Sequence, residues 1–375
     1  PHKRSGNFRR SGQRAEVLPD HSPGSGVQQE KNEEKRMEEN VMKRKVVMTG
    51  TVGVMTEANL KVMKDLLESK VDAEFEFLFD LPQDDDTLIA AAKGAEILIT
   101  QYQFMSEKVY EALTPELKAV ISFGIGYNSA NLEVATAHNV YVCNVPNYCL
   151  EEVAVHVMAL IMAEQRRLPN LIRWIEDGKW GGGYKAIAPV KRFSYSTVGL
   201  YGFGRIARYV AKMLSGFGCR VIAYDAIVPA DSIRAAGVEP VDFDTLLAES
   251  DYLSMHVPLL PSTQGIMNKE AFRKMKPTAI LVNTARGALC DPDDLYEALV
   301  SGEIYGAAID AYITEPPAGI EEKIRQLPNV LSTPHVGYYT DDAFNELISQ
   351  TVDVAVDLLN GKNPGTLINR ELWKD

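Results

Sequence analysis

Gly202, Gly204 and Ala207 stand at the spacing of a turn that opens onto a helix, and Asp225 follows the first of them by 23 residues. Gly202 permits a tight turn, Gly204 lets the backbone approach a bulky anion, and Ala207 is small enough for close helix–strand packing. The helix beyond the turn offers unpaired N–H groups and the positive end of its dipole, which suits a pyrophosphate. A carboxylate at Asp225 can accept hydrogen bonds from a ribose 2′-hydroxyl and would repel a 2′-phosphate, so the pattern points to NAD rather than NADP. Gly202, Phe203, Gly204, Arg205, Ile206 and Asp225 are therefore the first candidate cofactor contacts.

Three further polar residues could act on a ligand held beside such a cofactor. Arg286 follows the run Ala279–Asn283, Glu315 comes five residues after Asp310, and His335 follows Asn329–Leu331 and a Ser-Thr-Pro turn. Arginine gives planar, two-point recognition of a carboxylate. Histidine titrates near neutral pH and serves as acid or base. A neighbouring carboxylate raises the histidine's pKa and orients its ring. Hydride exchange with a 2-keto acid requires this set: a cation for the carboxylate, a proton donor for the forming alkoxide, and a group that keeps the donor charged. Taken singly, each residue has ordinary structural uses. Their joint placement at strand ends after the dinucleotide unit gives them weight.

The elements that must position these residues can be read from the same chain. Thr197–Tyr201 is a β-prone run, Ile206–Leu214 carries apolar residues at helical spacing up to Gly218, and Arg220–Tyr224 is a second strand. Runs at 252–257, 279–283, 306–310 and 329–331 complete an expected six-stranded doubly wound sheet. Upstream, strands at 46–48, 74–78, 97–99, 119–122 and 140–142 alternate with helices at 56–69, 85–93, 106–113 and 132–138. Repeated units of this length imply parallel sheets covered by helices on both faces. The class expected is α/β: two doubly wound parallel-sheet domains, a flavodoxin-like substrate domain and a Rossmann NAD-binding domain. Residues 150–167 read as a long amphipathic helix, followed by a flexible loop holding Trp174, Trp180 and Gly181–Gly183. A last helix at 341–360, stopped by Gly361, is expected to pack back on the first domain. The expected domains are 45–147 plus 336–375 for substrate and 148–335 for NAD, after a disordered N-terminal extension over 1–44.

Composition narrows the function classes. The 375 residues suffice for two sizeable cores, with 46% hydrophobic and 24% charged residues. A formal net charge of −12 argues against a nucleic-acid partner. Cys143, Cys149, Cys219 and Cys290 show no CxxC pair and no histidines at metal-ligand spacing, so free thiols in a reducing, cytoplasmic setting are expected and no metal is. No apolar run reaches 18 residues, the longest being 153–163, broken by His156, so no membrane partner is expected either. No signal peptide is expected. Residues 1–44 are poor in apolar side chains, and Met42-Lys-Arg-Lys-Val-Val-Met48 reads as a natural beginning. Residues 1–41 are thus expected to lie upstream of the native start, the alternative being a functional basic arm.

Residues 119–360 resemble the D-2-hydroxyacid dehydrogenases, the group that contains D-phosphoglycerate, glyoxylate/hydroxypyruvate, formate and D-lactate dehydrogenases. The resemblance rests on Val198-Gly-Leu-Tyr-Gly202-Phe-Gly204-Arg-Ile-Ala207, His256-Val-Pro-Leu, the run from Met275 to Gly287, Asp310-Ala-Tyr-Ile-Thr-Glu315-Pro316 and Thr333-Pro-His335. It implies that Arg286, Glu315 and His335 are catalytic and that Asp310 lies near the nicotinamide carboxamide. It places His256, Val257 and Pro258 beside the ribose groups, with Thr284, Ala285 and Arg286 at the nicotinamide. Phe123-Gly-Ile-Gly126-Tyr127-Asn128 is similar to the family loop whose backbone N–H groups, here of Ile125 and Gly126, hold the substrate carboxylate. The family commonly has Asp-Asn after the aromatic, where this chain has Asn128-Ser129. Tyr102 and Gln103 are further candidate substrate contacts, and Asn144–Asn147 resembles the hinge between domains. A homodimer through the cofactor domain is implied, without an appended regulatory domain. The competing class is an NAD sensor: the C-terminal-binding-protein corepressors share this fold and catalytic set, and Val336-Gly-Tyr338-Tyr339-Thr340 resembles that subgroup.

Overall fold

Two parallel sheets carry the chain. The computed structural model describes residues 44–50, 55–101 and 103–374. The expected N-terminal extension before Arg44, and Tyr102, lie outside the described residues.

The first sheet is built from β1 (Arg44–Gly50), β2 (Ala73–Phe79), β3 (Ile97–Thr100), β4 (Ala119–Ser122) and β5 (Tyr141–Cys143), in the order β2-β1-β3-β4-β5. That is the flavodoxin-like order. Every pairing whose register is described is parallel. β3 and β4 are buried along their whole length, as strands covered on both faces must be. The helices between them start where short polar side chains cap them. Thr56 accepts from the Asn59 N–H and Asp84 from that of Thr87, while Ser106 accepts from Val109.

The second sheet contains β6 (Thr197–Tyr201), β7 (Arg220–Tyr224), β8 (Glu239–Pro240), β9 (Tyr252–Met255), β10 (Ile280–Asn283), β11 (Gly306–Ile309) and β12 (Val330–Ser332). Its order, β12-β11-β10-β9-β6-β7-β8, is the Rossmann arrangement with one strand added. The sequence led to six strands; the seventh, β8, is two residues long and includes a proline. An edge position tolerates it, because one side of the strand needs no donor.

Two helices tie the halves of the chain together. Helix Leu150–Gln165 packs Ala154, Val157, Leu160 and Ile161 against Val198, Leu200 and Phe203 of the second sheet. Helix Asp341–Leu359 sends Phe344, Leu347, Ile348 and Val352 into the core of the first sheet, with Met48 and Ile121, as expected. Behind it the C-terminal segment is pinned to β5: Ile368 N–H donates to Val142 at 2.8 Å, and buried Asn369 accepts from the Val142 N–H at 2.9 Å. One expectation fails here. Residues 168–176, which include Trp174, form a helix rather than a loop. Arg167 turns the chain at a φ of 51°, Pro169 sits in the first turn where it costs no hydrogen bond, and Leu168, Leu171, Ile172 and Ile175 repeat at helical spacing.

Candidate active site

The dinucleotide turn has the local geometry its residues require. Gly202 has a φ of 92°, and a Cβ there would lie 2.8 Å from the His256 carbonyl group. Only glycine fits both conditions. A Cβ on Gly204 would meet nothing within 4 Å, so the backbone faces open space where the helix Arg205–Leu214 begins without a side-chain cap. Unpaired N–H groups at that end are available to an anion. Ala207 is fully buried under β6. Asp225 at the end of β7 accepts from Phe203 N–H at 2.7 Å and from Ile227 and Val228 N–H at 2.7 and 2.9 Å. Burial opposes its charge, but these three donors and nearby Arg208 outweigh it, and its pKa is lowered. A carboxylate has about four acceptor sites, so one remains for a ribose hydroxyl. Arg205 donates to the Asn147 side chain.

Two buried polar atoms near this turn have no partner among the described residues: His256 Nε2 and Thr284 Oγ1. Burial pushes the His256 imidazole down to about 4, so it is neutral near pH 7. Unsatisfied buried groups of this kind are costly unless a ligand meets them. Together with the open face at Gly204 they fit a bound dinucleotide. Val257 packs against Gly202, and exposed Pro258 gives its carbonyl to the Thr263 hydroxyl at 2.7 Å.

At the end of β10, Asn283 shapes the next loop. Its side chain accepts from Ala285 N–H at 3.0 Å and donates to the Arg286 carbonyl at 2.8 Å. The Arg286 guanidinium donates to the Ala285 carbonyl at 2.6 Å and reaches across to the first sheet's loop. A Cβ at Gly126 would stand 1.8 Å from its Nη2, so the two groups are in direct contact. Burial works against the Arg286 charge, and the Glu315 carboxylate works for it. Ile125, the neighbour of Gly126, is held by Asn144, whose amide donates to its carbonyl at 2.7 Å. Asn128 closes a second contact between the sheets, donating to the Leu259 carbonyl at 3.3 Å. Gly287 is required for a different reason: a Cβ would lie 2.3 Å from the Tyr312 carbonyl carbon, on the loop that leads to Glu315.

His335 and Glu315 meet. Nδ1 of the ring lies 2.8 Å from both carboxylate oxygens, and Glu315 also accepts from Tyr312 N–H at 3.1 Å. Both side chains are one-third exposed, so the pair faces out of the core. Its Nδ1–H is committed to Glu315, which leaves Nε2 for a ligand. The loop bearing Glu315 is fixed from below by Glu321, whose carboxylate accepts from Ile313 N–H at 2.8 Å and Thr314 N–H at 3.0 Å. His335 has a φ of 52°, and its N–H donates to the Asp310 carbonyl at 2.9 Å.

Asp310 lies at the end of β11, and its side chain is 3% exposed and holds segment 333–337. It accepts from the Thr333 hydroxyl at 2.5 Å, from Val336 N–H at 3.1 Å and from Gly337 N–H at 3.0 Å. His156 Nε2 lies 3.4 Å from the same carboxylate. Burial opposes the charge, but the bonds from His156, Thr333, Gly337 and Val336 outweigh it and hold the group at about 2. Gln103 is buried, and its side-chain carbonyl accepts from the Thr49 hydroxyl at 2.8 Å. His156, Asn283 and Glu321 were not singled out from the sequence. Only His156 had left a trace, as a polar break in an apolar helix.

The chain is similar to known proteins in both sequence and fold. Residues 158–337 match the family model described as D-isomer specific 2-hydroxyacid dehydrogenase, NAD binding domain. The chain is 33% identical over 311 residues to a glyoxylate reductase of Korarchaeum cryptofilum, covering 82% of this chain and 93% of that one. It is 40% identical over 228 residues to a hydroxypyruvate reductase of Thermotoga maritima, covering 60% and 72% of the two chains. The apo structure of D-lactate dehydrogenase from Escherichia coli superposes with a TM-score of 0.71 at 28% identity, covering 86% of this chain and 99% of that one. The protein belongs to the D-isomer specific 2-hydroxyacid dehydrogenase family and is an NAD-dependent oxidoreductase. No helix among the described residues is long and apolar enough to cross a membrane.

Proposed function

We propose that this enzyme interconverts a small 2-keto acid and the corresponding D-2-hydroxy acid between the first sheet's Gly126 loop and the strand ends of the second sheet. The observation that carries the reading is the pairing of His335 with Glu315 at 2.8 Å while Arg286 lies against Gly126. Arg286, with the N–H groups of Ile125 and Gly126, anchors the substrate carboxylate. Bound NAD supplies hydride transfer, held by Gly202–Ile206, Asp225, His256–Pro258, Thr284 and Ala285. In the reductive direction His335 Nε2 gives its proton to the forming alkoxide; in the oxidative direction it takes that proton back. Glu315 holds the ring in place through Nδ1. Residues 45–147 with 336–375 act as the substrate domain and 148–335 as the cofactor domain, and their approach excludes water.

The related glyoxylate and hydroxypyruvate reductases suggest a keto acid of that size. A homodimer fits helix Leu168–Glu176, which buries none of its residues and exposes Leu168, Ile172 and Ile175. Four free cysteines fit a cytoplasmic setting.

The test is NADH oxidation at about 340 nm, the reduced-nicotinamide band, against glyoxylate, hydroxypyruvate, pyruvate, phenylpyruvate and phosphohydroxypyruvate. Turnover on one of them that His335→Ala abolishes, with NADH binding kept, supports the reading. Silence on all of them with NADH bound tightly overturns it in favour of an NAD-sensing, partner-binding protein.

A further inference from the structure

We infer that His156, on helix Leu150–Gln165, is a positioning residue for His335, acting through Thr333 and Asp310. This rests on the acid–base role proposed above for His335.

The argument begins with proton counting. The Thr333 hydroxyl has one hydrogen, and it points to Asp310 Oδ1 at 2.5 Å. Thr333 Oγ1 can therefore only accept from its other neighbour, His156 Nε2, at 3.0 Å. His156 must carry its proton on Nε2, and that same N–H faces Asp310 Oδ1 at 3.4 Å. A histidine on a helix of the second sheet's core thus closes a three-membered polar cluster around a buried carboxylate.

That carboxylate holds the backbone on the far side of His335. It accepts the N–H groups of Val336 and Gly337, while the Asp310 carbonyl accepts the N–H of His335 itself. Three successive amides are gripped by one residue. His335 needs such a grip, because a φ of 52° is costly for a residue with a Cβ and persists only where its surroundings enforce it. The packing leaves no slack. A Cβ on Gly337 would lie 2.9 Å from Asp310 Oδ2 and 3.1 Å from the His156 ring. One turn earlier on the same helix, Glu152 accepts from the Thr340 hydroxyl at 3.1 Å, so the helix holds segment 333–340 at two points.

Without the His156 N–H, Thr333 and Asp310 lose a donor in a buried place, and the grip on residues 335–337 loosens. The Glu315 pairing at Nδ1 then no longer fixes where Nε2 points. A misplacement of about 1 Å costs on the order of a hundredfold in rate. Substrate and cofactor contacts made by other residues would be untouched.

The experiment compares wild type with His156→Phe, which keeps a ring without the donor, and His156→Gln, whose amide nitrogen can replace Nε2. Steady-state rates on the preferred keto acid, hydrogen exchange of the Val336 and Gly337 amides, and melting temperature are measured on the full chain. His156→Phe is expected to lower kcat at least about tenfold, with KM for NADH and keto acid within about twofold, and to speed exchange at both amides. His156→Gln should restore most of both. Unchanged exchange in His156→Phe, an unchanged kcat, or a loss that glutamine does not rescue would each overturn the inference. A wild type silent on every keto acid sinks the dehydrogenase reading instead, and the exchange measurement with its glutamine rescue then decides the clamp.

Discussion

Two histidines follow parallel strands of the same sheet, and their surroundings make them opposites. His256 comes directly after β9, half-buried, with its Nε2 shut away from solvent and unpartnered and its pKa pushed down to about 4 by burial. His335 comes three residues after β12, one-third exposed, with Nδ1 between the two oxygens of Glu315. The first is a neutral group packed against the Gly202 turn. The second has the carboxylate and the open ring nitrogen that proton transfer requires. Residue type and strand-end position are shared; a partner and access to solvent separate the roles.

The contrast can be broken at its strongest point first. His335→Ala should lower kcat by about a hundred- to ten-thousandfold, the span of a lost general acid–base group, with little change in NADH affinity by fluorescence titration. A rate within a few-fold of wild type would remove His335 from the chemistry. Glu315→Gln keeps a hydrogen-bond acceptor and removes the charge beside the ring, so a loss in kcat on the order of tenfold to a hundredfold is expected. A steady-state kcat within a few-fold of wild type would remove the Glu315 charge from the chemistry.

Gly126→Ala separates anchoring from proton transfer. The added methyl would meet the end of the Arg286 side chain, which can move aside without unfolding anything. KM for the keto acid should rise about tenfold or more, and the melting temperature should stay within about 2 °C. A large drop in melting temperature would instead make Gly126 a structural requirement.

The smallest effect on rate, and the sharpest on the comparison, is the pH dependence of stability. The folded-state pKa of His256 lies below the ordinary 6.5, so the unfolded chain binds its proton first. Stability from this residue is complete above about 6.5 and falls as the pH drops toward about 4, by roughly 3 kcal/mol from the size of the shift. His256→Leu should flatten that part of a urea-denaturation profile taken without cofactor. An unchanged slope would mean that His256 is better solvated than its surroundings indicate.

The geometry of the dinucleotide turn was legible because it is local. Gly202, Gly204, Ala207 and Asp225 sit within one strand–turn–helix–strand unit, where each backbone demand maps to a residue type. Arg286, Glu315 and His335 were legible as strand-end residues, since a parallel sheet gathers such ends at one edge. Helix Leu168–Glu176 left a readable signal in Pro169 and its apolar spacing, and the neighbouring glycines and Trp180 drew attention from it. β8 left none, since Glu239-Pro240 has no strand propensity and pairs only because β7 lies beside it.

The sequence by itself determined the α/β class, the order of most elements, the NAD cofactor, and the strand-end positions of Arg286, Glu315 and His335. Only the tertiary structure decided which groups meet. Arg286 touches Gly126 across 160 positions of sequence, His156 reaches Asp310 across 154, and Gln103 accepts from Thr49 across 54. No periodicity or spacing encodes such pairs. They follow from how two sheets and their covering helices pack, which is also what brings the Asp310 carboxylate onto the backbone of residues 336 and 337.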